Sequence, residues 1–244
     1  MARLDGYAAV LFDLDGVITS TARQHFAAWK EMFDDFLDMC AERNGEPFIP
    51  FGDDDYHRHV DGMPRYDGVR RFLAERGMTL EEGGPDDPPD AETVHGLGNR
   101  KNELVNDIIR RDGVEVYDGS LALLHQVRDQ GIKTAVVSSS RNCQTILRAA
   151  GITDLFDVRV DGVVAAELGL PGKPAPDTFL AAAERLGVPP QRSVVVEDAL
   201  SGVEAGRNGG FGLVIGVNRV GQGEALRDHG ADVVVTDLAE LLSS

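Results

Sequence analysis

From residue 118 to the C-terminus, short apolar runs alternate with helical patterns, and this alternation constrains the fold more than any other feature. Helical patterns cover residues 120–130, 141–150, 177–186 and 200–207, with a short one near 224–229 and a last one at the end. Strand-like runs occupy 133–138, 158–160, 193–197, 213–217 and 233–235, and 8–13 adds one near the N-terminus. Such alternation predicts an α/β fold: a Rossmann-like, doubly wound parallel sheet with helices on both faces. Ligands of these sheets gather at the C-terminal ends of the strands, near the switch in strand order. Polar residues stand at those ends.

The long interval after the first strand has a different texture. Ser20 or Thr21 can cap a helix beginning near Ala22, whose pattern carries Phe26, Trp29, Lys30, Met32, Phe33 and Phe36. It sets His25 and Trp29 on one face, four residues apart. Residues 44–61, rich in Pro, Gly and Asp, read as loop, with His57 and His59 as surface histidines and Asp53–Asp55 as a solvated face. Helical periodicity resumes near Tyr66 and stops at Gly77, a C′ position, and 81–90 reads as an exposed loop before a helix over 91–111. The interval shows no strand pattern. It predicts a helical cap domain over 20–114, inserted into a core domain formed by 1–19 and 115–244.

Charge narrows the function. The 244 residues carry 41 Asp+Glu against 24 Lys+Arg, a formal charge of −17, which argues against nucleic acid or an anionic membrane surface as partner. A phosphate site must therefore be locally positive. Cys40 and Cys143 are the two cysteines and stand far apart, so reduced thiols and a cytoplasmic protein are expected. There is no basic segment leading into a long apolar run, and no stretch of membrane-spanning length.

Four strand ends supply the chemistry. The first ends in Asp13 and Asp15, which share one side of the strand, and Gly16 lets the backbone turn. A carboxylate pair suits phosphoryl transfer: one attacks phosphorus, the other handles the proton. The second opens into Ser138, Ser139, Ser140, Arg141 and Asn142, where hydroxyls and free N–H groups at a helix start meet the needs of phosphate oxygens. A serine N-cap accounts for one of the three serines. Lys173, between Gly172 and Pro174, is a cation held by restricted neighbours just before a helix. Glu197 and Asp198 close another strand; Asp198 as an N-cap explains one of them. With Asp13 and Asp15 they make an oxygen-only site of the kind Mg²⁺ prefers. No Walker P-loop, dinucleotide-binding glycine motif or nucleophile elbow is present.

In this order, D-x-D-G-V, a strand ending in Ser, G-K-P-x-P-D and V-x-E-D-A make the chain closely resemble the haloacid dehalogenase-like (HAD) superfamily, in the branch with a helical cap after the first strand. The resemblance spans essentially the whole chain. It implies Asp13 as nucleophile through an aspartyl-phosphate and Asp15 as general acid/base. It also implies Ser138, its neighbour Ser139 and Lys173 on the transferring phosphate. Mg²⁺ would be held by the Asp13 carboxylate, the Asp15 backbone carbonyl and Asp198, with Glu197 direct or through water. Within the superfamily the chain looks like β-phosphoglucomutases. Thr21, His25 and Trp29 match that family's cap helix, Gly62, Met63 and Arg65 its cap loop, and Ser140, Arg141 and Asn142 its second distal-phosphate element. A mutase that accepts a bisphosphate in either orientation needs such a second anion site. Arg100 and Lys101 are both candidates for the family's cap lysine.

Three functions follow. The first is a Mg²⁺-dependent hexose-phosphate mutase that interconverts β-glucose 1-phosphate and glucose 6-phosphate through glucose 1,6-bisphosphate. The second uses the same chemistry with water as acceptor, a sugar-phosphate phosphatase. The third, a non-catalytic sugar-phosphate binder, leaves the full set of catalytic groups unexplained. A monomer or weak homodimer is expected.

Overall fold

Six strands form one parallel sheet: β1 (Ala9–Phe12), β2 (Lys133–Val137), β3 (Val158–Val160), β4 (Ser193–Glu197), β5 (Leu213–Val217) and β6 (Val233–Val235). This computed structural model describes residues 4–242. Across the sheet the order is β3-β2-β1-β4-β5-β6, so the chain builds outward from β1, then returns to β1's other side at β4. Phe12 pairs in register with Val136 of β2 and Val196 of β4. The residues that follow these three therefore emerge together at one end of the sheet.

Both faces of the sheet are buried, which is why its strands read as continuous apolar runs. On one face Ala9, Leu11, Ala135, Val137 and Val195 pack with Phe179, Ala182 and Leu186 of helix Asp177–Leu186. Alternate residues Val10, Phe12, Val136, Val194 and Val196 are equally buried. Each such side chain contributes roughly 1.5–3 kcal/mol relative to exposure. The doubly wound sheet expected from the alternation is the one observed. A seven-residue helix, Gly162–Leu168, is an addition, capped by the Asp161 carboxylate, which accepts from the backbone of Val163 and Val164.

The chain divides into two compact units, one of Met1–Ser20, Gly62–Pro64 and Val114–Ser244, the other of Thr21–Asp61 and Arg65–Gly113. The second is built on helices Ala22–Asn44, Arg65–Glu75 and Val94–Asp112. Its core is aromatic: Phe33 lies 4.2 Å from Phe72 and 5.1 Å from Phe51, ring centre to ring centre. Phe51 is seated by Asp34, which accepts from its backbone N–H at 2.8 Å, and by Lys30, which donates to its carbonyl at 2.9 Å.

Several local expectations are corrected. Residues 53–60 are not loop: Asp53–Asp55 form a helical turn and Tyr56–Val60 a π-helix closed by the Asp61 N–H donating to the Tyr56 carbonyl at 3.0 Å. Asp55 is not merely solvated, since its carboxylate pairs with Arg76 at 2.8 Å. Thr21 precedes the first helix but makes no side-chain cap. The chain does turn at Gly77, with φ +67°. Cys40 and Cys143 are free thiols. Among the described residues no helix is long and apolar enough to cross a membrane.

His57 contacts Asp61 at 3.2 Å, and that hydrogen bond raises its pKa above the ordinary histidine value despite partial burial. A raised folded pKa stabilises the protein below the unfolded pKa, and the gain fades as pH rises through the folded one. His57→Gln should therefore lower the urea midpoint most below about pH 6.5 and least near about pH 9. Urea unfolding across that range checks this, and a pH-independent difference would contradict it.

Candidate active site

Asp13 follows β1 directly and is 6% exposed; its backbone N–H donates to the Val196 carbonyl at 2.9 Å. Lys173 reaches it from the segment preceding helix Asp177–Leu186. The Lys173 ammonium lies 2.5 Å from Asp13 Oδ1 and 2.5 Å from Glu197 Oε1, and also donates to the Val137 carbonyl at 3.2 Å. Its other side faces the Phe179 ring, 5.0 Å from the centroid. Lys173 is 1% exposed. A lysine this buried is stable only because two carboxylates meet it.

Glu197 and Asp198 divide their work differently from the sequence expectation. The helix Leu200–Asn208 has Ala199, not Asp198, at its N-cap position. Instead Glu197 Oε2 accepts from the N–H groups of Asp198 at 3.0 Å and Ala199 at 3.1 Å. Glu197 is thus occupied on both oxygens. Asp198 turns its carboxylate against Gly16, where an added Cβ would overlap it. Gly16 also adopts φ +87°, so only glycine satisfies both the turn and the approach.

Asp13, Glu197 and Asp198 each offer a carboxylate oxygen within 4.8 Å of the others. The donors are all oxygen, buried and acidic, which fits a hard divalent cation. The Asp15 side chain stands outside that cluster and is half-buried. Burial pushes the Asp13 pKa well above the usual carboxylate range; Glu197 and Asp15 push it further, and Lys173 opposes them. Burial would lower Lys173, but Asp13 and Glu197 outweigh it and hold the ammonium above the usual lysine value.

After β2, Ser138 Oγ accepts from the Ser140 N–H at 3.1 Å, and Ser140 Oγ from the Asn142 N–H at 3.1 Å. The Ser138 hydroxyl proton is left to donate. Ser139 donates to the Gly62 carbonyl at 2.7 Å, so its hydroxyl holds the Gly62–Pro64 segment. Gly62 and Met63 are thereby fixed in the same unit as the carboxylates. Arg141 is exposed.

In the other unit, Lys101 is 5% exposed, with its ammonium 2.9 Å from His25 Nδ1 and 4.9 Å from the centre of the Trp29 ring. Arg100 instead pairs with Asp35. Of the two cap-lysine candidates, Lys101 is the one brought to His25 and Trp29. Thr21 is buried at the head of their helix. Arg65 donates from Nη2 to the Tyr66 hydroxyl at 2.8 Å and to Asn99 at 3.3 Å. Two residues that no motif singled out also reach the site: Arg219 bonds the Gly16 carbonyl and Gln222 the Asp198 carbonyl.

A buried nucleophile-type carboxylate, a buried lysine and a tight acidic cluster at the end of a doubly wound sheet define a class of phosphoryl-handling proteins. The family profile for haloacid dehalogenase-like hydrolases matches residues 7–210, and the chain belongs to this family. The chain is 56% identical over 238 residues to β-phosphoglucomutases of Mycobacterium bovis and Mycobacterium tuberculosis, covering 96% of this chain and 91% of each relative. It is 34% identical over 233 residues to the β-phosphoglucomutase of Bacillus subtilis, covering 96% and 91%. The crystal structure of a β-phosphoglucomutase from Clostridium difficile superposes with TM-score 0.75 at 28% identity, covering 97% of this chain and 93% of that one.

Lys173→Met would leave Asp13 and Glu197 buried together without a counter-charge. It should cost about 3–5 kcal/mol at neutral pH. A proton can replace the ammonium, so the loss should shrink from about pH 8 to about pH 5. Urea unfolding at both values checks this; an equal loss at both would contradict the assignment of Lys173 as their shared counter-ion.

Proposed function

We propose that the chain is a Mg²⁺-dependent hexose-phosphate mutase that interconverts β-glucose 1-phosphate and glucose 6-phosphate through glucose 1,6-bisphosphate. The observation that carries this reading is the Asp13 carboxylate, fixed by Lys173 beside the acidic cluster. The likeness to β-phosphoglucomutases supports the choice of substrate. The two free thiols agree with a cytoplasmic location.

Asp13 acts as nucleophile and becomes the aspartyl-phosphate. Asp15 protonates the leaving sugar oxygen and then removes the proton from the attacking hydroxyl. Ser138 and Lys173 bind the transferring phosphate, the lysine offsetting repulsion between two anions. Its pair with an anion at ~4 Å is worth on the order of 4 kcal/mol at an effective dielectric near 20. Asp13, the Asp15 carbonyl and Asp198 would hold Mg²⁺. Glu197 would contribute through water, because its oxygens already serve Lys173 and the 198–199 backbone. When bound, the ion supplies Lewis-acid neutralisation of the phosphoryl oxygens.

Arg65 and Arg141 are assigned to the phosphate that is not transferred, with Thr21, His25, Trp29, Gly62, Met63, Ser140 and Asn142 contributing to substrate recognition. Lys101 takes the place of the cap lysine. The Arg65 Nε is buried without a protein hydrogen-bond partner, which leaves it a donor for an anion.

The test is ³¹P NMR of β-glucose 1-phosphate with Mg²⁺ and a trace of glucose 1,6-bisphosphate. Glucose 6-phosphate should accumulate without matching inorganic phosphate; stoichiometric phosphate release would overturn the mutase in favour of a phosphatase. Asp13→Asn should abolish turnover in the same assay. Arg65→Ala should weaken mutase turnover about ten- to hundredfold, as expected for one charged hydrogen bond, and spare hydrolysis of a small phosphate ester. Equal losses in both assays would remove Arg65 from the second phosphate.

A further inference from the structure

The loop that follows β5 matches no motif, yet its side chains tie down both acidic loops of the site. Arg219 Nε donates to the Gly16 carbonyl at 2.9 Å and Nη1 to the Thr236 carbonyl at 3.1 Å. Its guanidinium carbon lies 3.7 Å from the centre of the Tyr117 ring, and Asp237 stands 3.5 Å from Nη1. Three residues on, Gln222 Nε2 donates to the Asp198 carbonyl at 3.0 Å. The loop is itself anchored, because the Asn218 N–H donates to the Val235 carbonyl at 2.7 Å.

The two carbonyls caught belong to the turn just after Asp15 and to Asp198. Those segments already press together, with the Asp198 carboxylate filling the space beside Gly16. Within the Asp15–Gly16 turn the Gly16 N–H donates to the Thr19 carbonyl at 2.7 Å and the Thr19 N–H to the Leu14 carbonyl at 2.9 Å. Arginine suits the brace because its planar fork bonds two carbonyls while its face stacks on an aromatic ring. Lysine offers no fork.

We propose that Arg219 and Gln222 are positioning residues for phosphoryl transfer, holding the Asp15–Gly16 turn and the Asp198 loop in register from one loop. This rests on the phosphoryl-transfer reading of the Asp13 site. Catalytic groups work within about 0.5 Å of their productive places, and misplacement by about 1 Å costs on the order of a hundredfold.

The test compares wild type with Arg219→Met, Arg219→Lys and Gln222→Leu. Three quantities are read for each: thermal unfolding, kcat and KM for β-glucose 1-phosphate, and Mg²⁺ affinity by calorimetry without substrate. Arg219→Met should lower kcat about ten- to hundredfold with KM within about twofold, and Arg219→Lys should recover part of the loss. Gln222→Leu should weaken Mg²⁺ binding about three- to tenfold. An Arg219→Met protein with wild-type kcat per folded molecule overturns the proposal, as does unchanged Mg²⁺ affinity in Gln222→Leu. Should Arg219→Met not fold, Arg219→Lys decides, and wild-type kcat there overturns the proposal. Wild type that transfers no phosphoryl group defeats the functional reading instead, which separates the two failures.

Discussion

Lys173 stands between Asp13 and Glu197, 2.5 Å from each, with almost no access to water. An ammonium taken out of water costs several kcal/mol, and one carboxylate in good geometry roughly offsets that. The second carboxylate leaves the cluster acidic. Counting Asp198, three carboxylates and one ammonium carry a formal charge of −2, the complement of one divalent cation. The same arrangement sets the price of error: remove the lysine and two buried acids face each other. It also answers the problem posed by a chain of net charge −17, since a phosphate meets cationic partners only where they are built in.

Everything around this cluster serves to hold it in place. The strand order brings the ends of β1, β2 and β4 together, so Asp13, Ser138 and Glu197 arrive from adjacent rails without needing long loops. Glu197 Oε2 binds two backbone N–H groups at the start of the next helix, which fixes Oε1 toward Lys173. Gly202 packs so close to the Glu197 carboxylate that a Cβ there would overlap it. On the far side of Asp198, the Gly16 turn makes the other wall.

The parallel sheet was legible because burial of both faces leaves uninterrupted apolar runs; the strands Ser193–Glu197 and Leu213–Val217 could be read to the residue. The four chemical segments were legible because strand ends concentrate polar residues after such runs. Tyr56–Val60 was not, since a π-helix buries Tyr56 and Val60 in a segment whose Asp and His content imitates a loop. Helix Gly162–Leu168 is too short to show a repeating apolar face. Nor does local sequence say that Glu197 takes the backbone donors of residues 198 and 199, which it does by folding its side chain back onto them. Lys101 rather than Arg100 faces His25 because of helix rotation, a tertiary outcome. Arg219 and Gln222 lie more than 200 residues from Asp13 and follow no motif; only the return of β5 beside β4 puts them near the site.

Trapping the acyl phosphate tests the role of Asp13 as nucleophile most directly. The protein is mixed with glucose 1,6-bisphosphate and Mg²⁺, quenched, reduced with borohydride and mapped by peptide mass spectrometry. Reduction converts a phosphorylated aspartate to homoserine, and that conversion is expected at Asp13 alone, dependent on the bisphosphate. Homoserine at Asp15, or turnover continuing with no conversion at Asp13, would contradict it.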